Sequence, residues 1–343
     1  MSEESIEDRL GEAAVRAADA VVPEIIQRLR RDAPAMIAAE REVQRGFEER
    51  LATRWQEPFE LYQMVLTSAR EMVADFDQEN REEAVQKQDF IFVFEVLHRL
   101  AIRACRVAEE VLCLLRGGFA DGAHARWRTL HELAATAFFV RKAGIDTAER
   151  YLLYEHIEAY KAASQLQDHA SKLNAQQFSD AGMEVLKKNR DILVAKYGKE
   201  FAGEYGWAFE ALKRLDSAFN GRIKFDAIER CAAIGHMRPY YKMASNQVHA
   251  GPKGAAFTLG SIGRKKINLV GASNAGLADP GQGAVLSLVQ VLVTLLLHKP
   301  ENIERFVGIR VLQSLVTDTA QSFVAVQRKL KEEQREIESE ENG

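Results

Sequence analysis

The stretch from Gln88 to Arg116 constrains the fold more than any other part of the sequence. Its apolar residues recur at the three- and four-residue spacing of an α-helix, and they cover a broad arc of that helix. A helix that is apolar over such an arc needs neighbours on several sides, so it belongs inside a helical protein. The 343 residues include only 7 prolines, which favours helix along most of the chain. The sequence therefore predicts a mainly α-helical fold, a multi-helix bundle.

The pattern along the chain divides it into three regions. Residues 1–80 predict an N-terminal helical extension of two or three helices. Residues 88–300 predict the helical core domain, which contains the longest apolar run. Residues 301–343 predict a C-terminal helix that ends in an acidic tail. No fixed-period repeat is present, which disfavours a solenoid.

Local signals refine these regions. Pro23, Pro34 and Pro58 are each expected in the first turn of a helix that follows a break. Within residues 255–270, polar and apolar residues alternate in short segments flanked by glycines, and this pattern predicts a small β-hairpin. The apolar run from Ala284 to Leu297 is too short to span a bilayer, and it predicts a buried helix.

Charge and cysteine content exclude several classes of protein. The net charge is −4, so no global basic field attracts nucleic acid or an anionic membrane. The 3 cysteines form no CxxC pair, which argues against a disulfide framework or a zinc knuckle. The acidic start, MSEESIEDRL, is unlike a targeting peptide, so we expect a cytoplasmic protein that does not bind membranes. The absence of phosphate-loop, dinucleotide and zinc-protease motifs predicts no cofactor.

A candidate site lies in the stretch from Arg238 to Gly254. Tyr241, Ser245 and His249 follow one another at i, i+4 and i+8, which places three polar side chains on one helix face. The glycine and proline that follow end the helix and leave His249 in its last turn. A charged histidine there is favoured by the helix dipole, which suits acid–base chemistry.

A second polar group lies earlier in the chain, where Arg128 and Glu132 are four residues apart. If the two helices meet, His249 is the candidate general acid or base for phosphodiester cleavage without a metal. Arg128 would contact the phosphate, Glu132 would orient Arg128 or the histidine, and Ser245 would support them. The competing interpretation is a buried polar network that fixes helix packing.

Two further patterns leave alternatives open. Metal binding by Glu132, Glu155, Glu158 and His249 is a minor alternative, because the ferritin-like Glu-x-x-His pattern is absent. Arg99, Arg103 and Arg106 form a short basic stripe. Such a stripe is more often a solvated helix face than a strip that contacts phosphate.

Three runs of sequence carry a resemblance to a known family. They are LLRGGFADGAHARWRTLHELAATAFFVRKAG, AERYLLYEHIEAYKAA and IERCAAIGHMRPYYKMASNQVHAGPKGAA. Together they resemble the bacterial family called domain of unknown function 5677, over roughly residues 88–300. The family name implies no activity. Its pattern of a glycine turn, an arginine and glutamate four apart, and a tyrosine–serine–histidine segment falls on Gly118, Arg128, Glu132, Tyr241, Ser245 and His249.

The chain is more distantly similar to the HEPN helical ribonucleases, which carry an arginine, four to six residues and then a histidine. Arg126 and His131 have that spacing, whereas the segment SNQVH has a serine where the family has its arginine. This resemblance implies a metal-independent ribonuclease effector in bacterial phage defence or a toxin system, with RNA as a partner and a homodimeric state. The alternative is a non-catalytic helical binding or scaffold protein.

Overall fold

The computed structural model describes residues 3–86, 88–263, 269–299 and 302–340, with the side chains of residues 3–10, 83–85 and 88–90 left aside. Within these ranges the chain is helical, and it forms two compact units, Met1–Arg54 and Trp55–Gly343. The helices are α1 (Glu3–Arg54), α2 (Gln56–Gln86), α3 (Gln88–Arg116), α4 (Ala120–Ala143), α5 (Ile145–Leu153), α6 (Glu155–Leu173), α7 (Asp180–Tyr197), α8 (Phe209–Leu215), α9 (Phe225–Cys231), α10 (Arg238–Val248), α11 (Pro252–Ala256), α12 (Ala278–Leu296) and α13 (Ile303–Glu340). Single 3₁₀ turns occur at Lys199–Ala202, Gly206–Ala208 and Gly235–Met237.

The first unit is a single helix, α1, of 52 residues. The prediction that Pro23 and Pro34 each begin a new helix is wrong, because α1 continues through both. Each proline removes one backbone hydrogen bond and distorts the preceding turn. Both prolines are exposed, so water can solvate the carbonyl groups that lose a partner. Pro58 does lie in the first turn of its helix, α2.

The second unit is a helical bundle in which α3 and α12 are the central elements. Helix α3 packs against α2, α4 and α5, as expected of a helix that is apolar over a broad arc. Helix α12 packs against α2, α3, α4 and α13. An aromatic cluster of Trp55, Phe59 and Phe323 joins α2 to α13. The unit begins at Trp55, inside the region 1–80 that the sequence pattern assigns to the extension.

Helix α12 contains the apolar run that the sequence predicts to be buried. It begins at Ala278, six residues before the predicted start, and its first turns contain small residues that permit close packing. Among the described residues it is the one helix long and apolar enough to cross a membrane, yet 72% of its apolar window is buried inside the protein. That burial is typical of the core helix of a globular bundle.

The predicted β-hairpin at residues 255–270 is wrong for the part of it that the structure describes. Residues 255 and 256 belong to α11, and the chain around Leu259 is a turn. The Leu259 amide donates to the Asp121 carboxylate at 2.9 Å, and the Thr258 hydroxyl donates to the same carboxylate. The first of these bonds occupies a backbone amide that a strand partner would need. Of the second predicted strand, residues 267–270, the first two lie outside the described residues, and Leu269 and Val270 have no regular secondary structure.

The helices around the site also differ from the predicted ones. The sequence from Thr147 to His169 has a continuous helical pattern, but the structure interrupts it at Tyr154, which separates α5 from α6. Gly144 ends α4 with φ of +90°, a backbone conformation that favours glycine. Helix α10 ends at Val248, so His249 follows the helix in an extended conformation. These boundaries determine which side chains can meet.

Candidate functional site

A cleft of about 640 Å³ opens in the second unit between α3, α4, α5 and the start of α6. The turn at Glu204–Trp207 and the first residue of α9 complete its wall. A volume of this size is in the range of small-molecule sites. Its lining combines arginines, carboxylates, hydroxyls and aromatic rings: Arg99, Arg103, Thr129, Glu132, Thr136, Tyr151, Tyr154, Glu155, Glu158, Glu204, Tyr205, Trp207 and Phe225.

The basic side of the cleft comes from α3. Arg99 and Arg103 lie one turn apart and line the cleft, whereas Arg106, the third member of the basic stripe, does not. Arg99 donates to Glu95 at 2.7 Å, on its own helix. Arg103 is exposed and forms no ion pair with any described residue. Burial raises the pKa of the Tyr151 phenol, which lines the same cleft, and the charge of Arg103 opposes that rise.

A tight turn holds the aromatic side of the cleft. Tyr205 has φ of +52°, which is uncommon for a residue with a side chain, and the Tyr154 hydroxyl donates to the carbonyl of Gly203. Gly206 is required, since a Cβ there would lie 2.2 Å from the Phe201 carbonyl oxygen. Burial, followed by the charge of Glu132, raises the pKa of Tyr205 to about 12. Strained backbone of this kind clusters at ligand sites.

Glu132 lines the cleft, and Arg128, which is not itself a lining residue, holds it in place. Arg128 Nε donates to Glu132 Oε1 at 3.0 Å, and the same oxygen accepts a hydrogen bond of 2.6 Å from the Tyr241 hydroxyl. The Arg128 guanidinium also stacks on the Tyr241 ring, 4.7 Å from its centroid. Burial, followed by the hydrogen bond to Glu132, raises the pKa of Tyr241. The Arg128 side chain is therefore held by residues of α4 and α10.

Behind this wall lies a more deeply buried ionic group. The Glu229 side chain is 1% exposed, and its carboxylate accepts from His131 Nε2 at 2.8 Å and from Arg238. Because an ionised carboxylate only accepts, Nε2 carries the His131 proton. The His131 ring also contacts Trp127 and Tyr241. This group joins α4, α9 and α10, and it matches the polar network that was the competing interpretation of the sequence.

The structure brings Arg128, Glu132 and Tyr241 together, but it places the other two predicted site residues elsewhere. The Ser245 hydroxyl donates to the carbonyl of Tyr241 at 2.9 Å, a bond within α10. His249 is exposed after the end of α10, and its imidazole makes no hydrogen bond or ion pair with any described residue. The predicted stacking of Tyr241, Ser245 and His249 fails at its last member because the helix ends one residue too early.

The arginine–histidine spacing at Arg126 and His131 does not create a joint site. Arg126 donates to Glu110 and to Thr129, whereas His131 is buried against Glu229 on another side of α4. Residues five apart on a helix point about 140° away from each other, which explains the separation. The alternative of metal binding by Glu132, Glu155, Glu158 and His249 also lacks a site, since no described group of three or more His, Cys, Asp or Glu residues could hold an ion.

Comparison with known proteins gives one match. Residues 94–264, about half of the chain, match the Family of unknown function (DUF5677). This segment belongs to that family. No curated protein and no solved structure matches the chain.

The DUF5677 segment contains the complete cleft. All its lining residues fall between Arg99 and Phe225, and the wall residue Tyr241 also lies within the match. Helix α12, which packs against α3 and α4, lies outside this segment. The site is therefore a property of the family segment, while part of its support comes from the rest of the chain.

Sequence reasoning found part of the cleft and missed the rest. It singled out the carboxylates Glu132, Glu155 and Glu158 and the arginines Arg99 and Arg103, but it gave no binding role to the aromatic turn at Tyr205. It also missed Glu229 and its partner Arg238. The available signal was a glutamate in DAIERC, a short helix in which Ala227, Ile228 and Cys231 are apolar and buried. An acidic residue among apolar ones on such a helix indicates a buried charge that needs a cation.

Proposed function

We propose that the protein is a helical binding protein whose cleft takes a nucleotide, either free or as one unit of single-stranded RNA. The observation that carries this proposal is the position of Arg103, a cation without an ion-pair partner among the described residues, in an open cleft that Tyr151 also lines. Arginine binds phosphate through its planar set of donors, and aromatic rings bind bases by stacking.

The cleft also carries hydrogen-bond acceptors that suit a base. The carboxylates of Glu158 and Glu204 line it, and their charges raise the pKa values of the neighbouring phenols Tyr151 and Tyr205 after the larger effect of burial. Carboxylates accept hydrogen bonds from the amino groups of bases. A ligand that combines an anionic group with hydrogen-bond donors therefore fits this mixed lining better than a simple anion does.

The buried polar network favours a binding function over a catalytic one. Arg128, the predicted phosphate contact, is held by Glu132 and stacked on Tyr241, and His131 is buried against Glu229. Neither side chain is free to act on a phosphodiester without breaking bonds that stabilise the bundle. Their role in this proposal is to hold the wall that presents Glu132 to the cleft.

A metal-independent ribonuclease effector of bacterial defence or a toxin system is the second candidate. The specific observation in its favour is His249, whose exposed imidazole has no described partner and so is available to RNA from solvent. In this case His249→Ala abolishes the cleavage of labelled RNA, while His236→Ala, at another exposed histidine, leaves it unchanged. RNA that stays intact with the wild-type protein excludes this candidate.

The binding proposal is tested by titrating the protein with each of the four ribonucleoside monophosphates and, separately, with a labelled RNA octamer. Calorimetry and fluorescence anisotropy give the Kd values. We expect Arg103→Ala to weaken binding by at least about tenfold, as loss of a charged hydrogen bond does. Arg106→Ala is the matched control, because Arg106 is also exposed on the same helix but does not line the cleft.

The two titrations distinguish a free nucleotide from RNA as the ligand. Binding of monophosphates indicates a free nucleotide, and binding of the octamer alone indicates RNA. If neither binds at millimolar concentration, or if Arg103→Ala and Arg106→Ala weaken binding equally, the cleft is not a nucleotide site.

A further inference from the structure

Helix α1 carries an exposed apolar stripe with a seven-residue repeat. Val15, Val22, Leu29, Met36 and Val43 follow one another at intervals of seven residues, and all five are exposed. An interval of seven residues is close to two helical turns, so these side chains lie along one face. In the heptad notation a–g they occupy position a.

Neighbouring positions widen the stripe. Ile25 lies at position d, Ile26 at e and Val21 at g, and each is exposed. Positions d, e and g flank position a in a coiled coil. With the five residues at a, these three make eight large apolar side chains on one face of a helix that forms a compact unit by itself. A single helix has no core in which to bury them.

The opposite face of α1 is unsuited to packing against another helix. Pro23 lies at position b and Pro34 at position f, and the charged residues Arg16, Arg30 and Arg41 also lie at outer positions. Proline disturbs the backbone of its helix, so its placement away from the stripe keeps the stripe regular. Both prolines are thus compatible with a partner on the a–d face.

We propose that the α1 stripe binds the α1 helix of a second copy of this chain and forms a two-stranded coiled coil. Three of the five residues at position a are valine, and β-branched residues at a favour two strands. The eight side chains expose on the order of 700 Å² per copy, close to the roughly 800 Å² per partner that stable complexes bury. The stripe is therefore large enough for a stable dimer.

Charge also permits the pairing of identical helices. Between Gly11 and Arg54 there are eight arginines, no lysines and eight aspartates or glutamates, so this part of α1, which contains the stripe, has no net charge and two copies of it do not repel each other. The charged residue at position d, Asp32, is paired with Arg28 at 3.7 Å and with Arg31 at 3.0 Å. Its charge is therefore compensated within each copy, and it interrupts the stripe at one layer only.

The test is the mass of the full-length protein in solution, measured by sedimentation equilibrium over a range of concentrations. We expect the wild-type protein to have the mass of two chains. Leu29→Glu places a charge in the centre of the stripe, and we expect it to raise the dissociation constant of the dimer by at least about a hundredfold. Val22→Glu, one heptad earlier, is expected to have the same effect.

Ile37→Glu is the matched control, because Ile37 is 50% exposed and Leu29 is 52% exposed, but Ile37 lies at position b. We expect this variant to remain a dimer. Circular dichroism of all three variants checks that the second unit remains folded. A wild-type protein that is monomeric or has any mass other than two chains overturns the proposal. So does a dimer that Leu29→Glu and Val22→Glu leave intact, or that Ile37→Glu dissociates equally.

Discussion

The Tyr241 hydroxyl donates to Glu132 Oε1 at 2.6 Å and joins helices whose contacting residues are 109 positions apart in the sequence. The same carboxylate accepts from Arg128, so one oxygen atom organises the wall of the cleft. Tyr241 also stacks on Phe225, with ring centroids 5.4 Å apart. The bond therefore connects the polar wall of the cleft to its aromatic side.

Tyr241→Phe removes the hydroxyl and keeps the ring. Because Glu132 then loses one of its two donors in a half-buried site, we expect the free energy of unfolding to fall by about 1–2 kcal/mol. Urea unfolding followed by circular dichroism measures the change. Tyr240→Phe is the control, since Tyr240 is 47% exposed and Tyr241 is 6% exposed. Equal losses in the two variants would show that the bond to Glu132 contributes nothing.

Glu229→Gln tests the buried ionic group. The substitution keeps the shape of the side chain but removes the charge that His131 and Arg238 share, so we expect a loss of about 3 kcal/mol in unfolding free energy. Asp226→Asn breaks a more exposed ion pair with Arg230 on the same helix. Its expected loss is below about 1 kcal/mol. A Glu229→Gln protein as stable as the wild type would contradict the assignment of a buried charge.

His124 makes stability depend on pH. Burial lowers the pKa of His124 to about 4, Asp121 opposes this effect, and the ring stacks on Trp127 with centroids 5.2 Å apart. The unfolded chain has a histidine pKa of about 6.5, so between pH 6.5 and 4 the unfolded state binds a proton that the folded state does not. Stability therefore falls as the pH falls through this window, by up to about 3 kcal/mol, and His124 has no such effect above it.

His124→Phe removes the titrating group and keeps an aromatic ring. Urea unfolding at pH 7.5 and pH 4.5 should show a smaller acid loss of stability in this variant than in the wild type. His236→Phe, at an exposed histidine, should leave the acid loss unchanged. An identical acid loss in wild type and His124→Phe would mean that other groups cause it.

Gly283→Ala tests how closely α12 approaches α4. A Cβ at this position would lie 2.8 Å from Trp127 Nε1, which donates to Ser287 at 3.1 Å on α12. The buried indole has little room to move, so we expect a loss of about 1–3 kcal/mol. Gly235→Ala is the control, because no atom lies within 4 Å of its added Cβ. Thermal unfolding that shows the same midpoint for both variants would refute the close approach.

The sequence by itself determined the helical fold class and the central position of α3. Both rest on the spacing of apolar residues, which is a local property of the chain. The same kind of signal places Arg128 beside Glu132, because residues four apart on a helix are neighbours whatever surrounds them. The heptad spacing of the α1 stripe is also a property of the sequence, although the two prolines elsewhere on α1 suggested helix breaks.

Only the tertiary structure decided which polar residues meet. Glu229 contacts His131 and Arg238, and Tyr241 contacts Glu132, because α9 and α10 pack on α4. Helix spacing relates only residues of the same helix, so it cannot specify partners so distant in the sequence. The end of α10 at Val248 likewise excluded His249 from the network. A helix boundary depends on which groups satisfy its last carbonyls, and a residue beyond the boundary no longer follows the helical spacing that would place it on a given face.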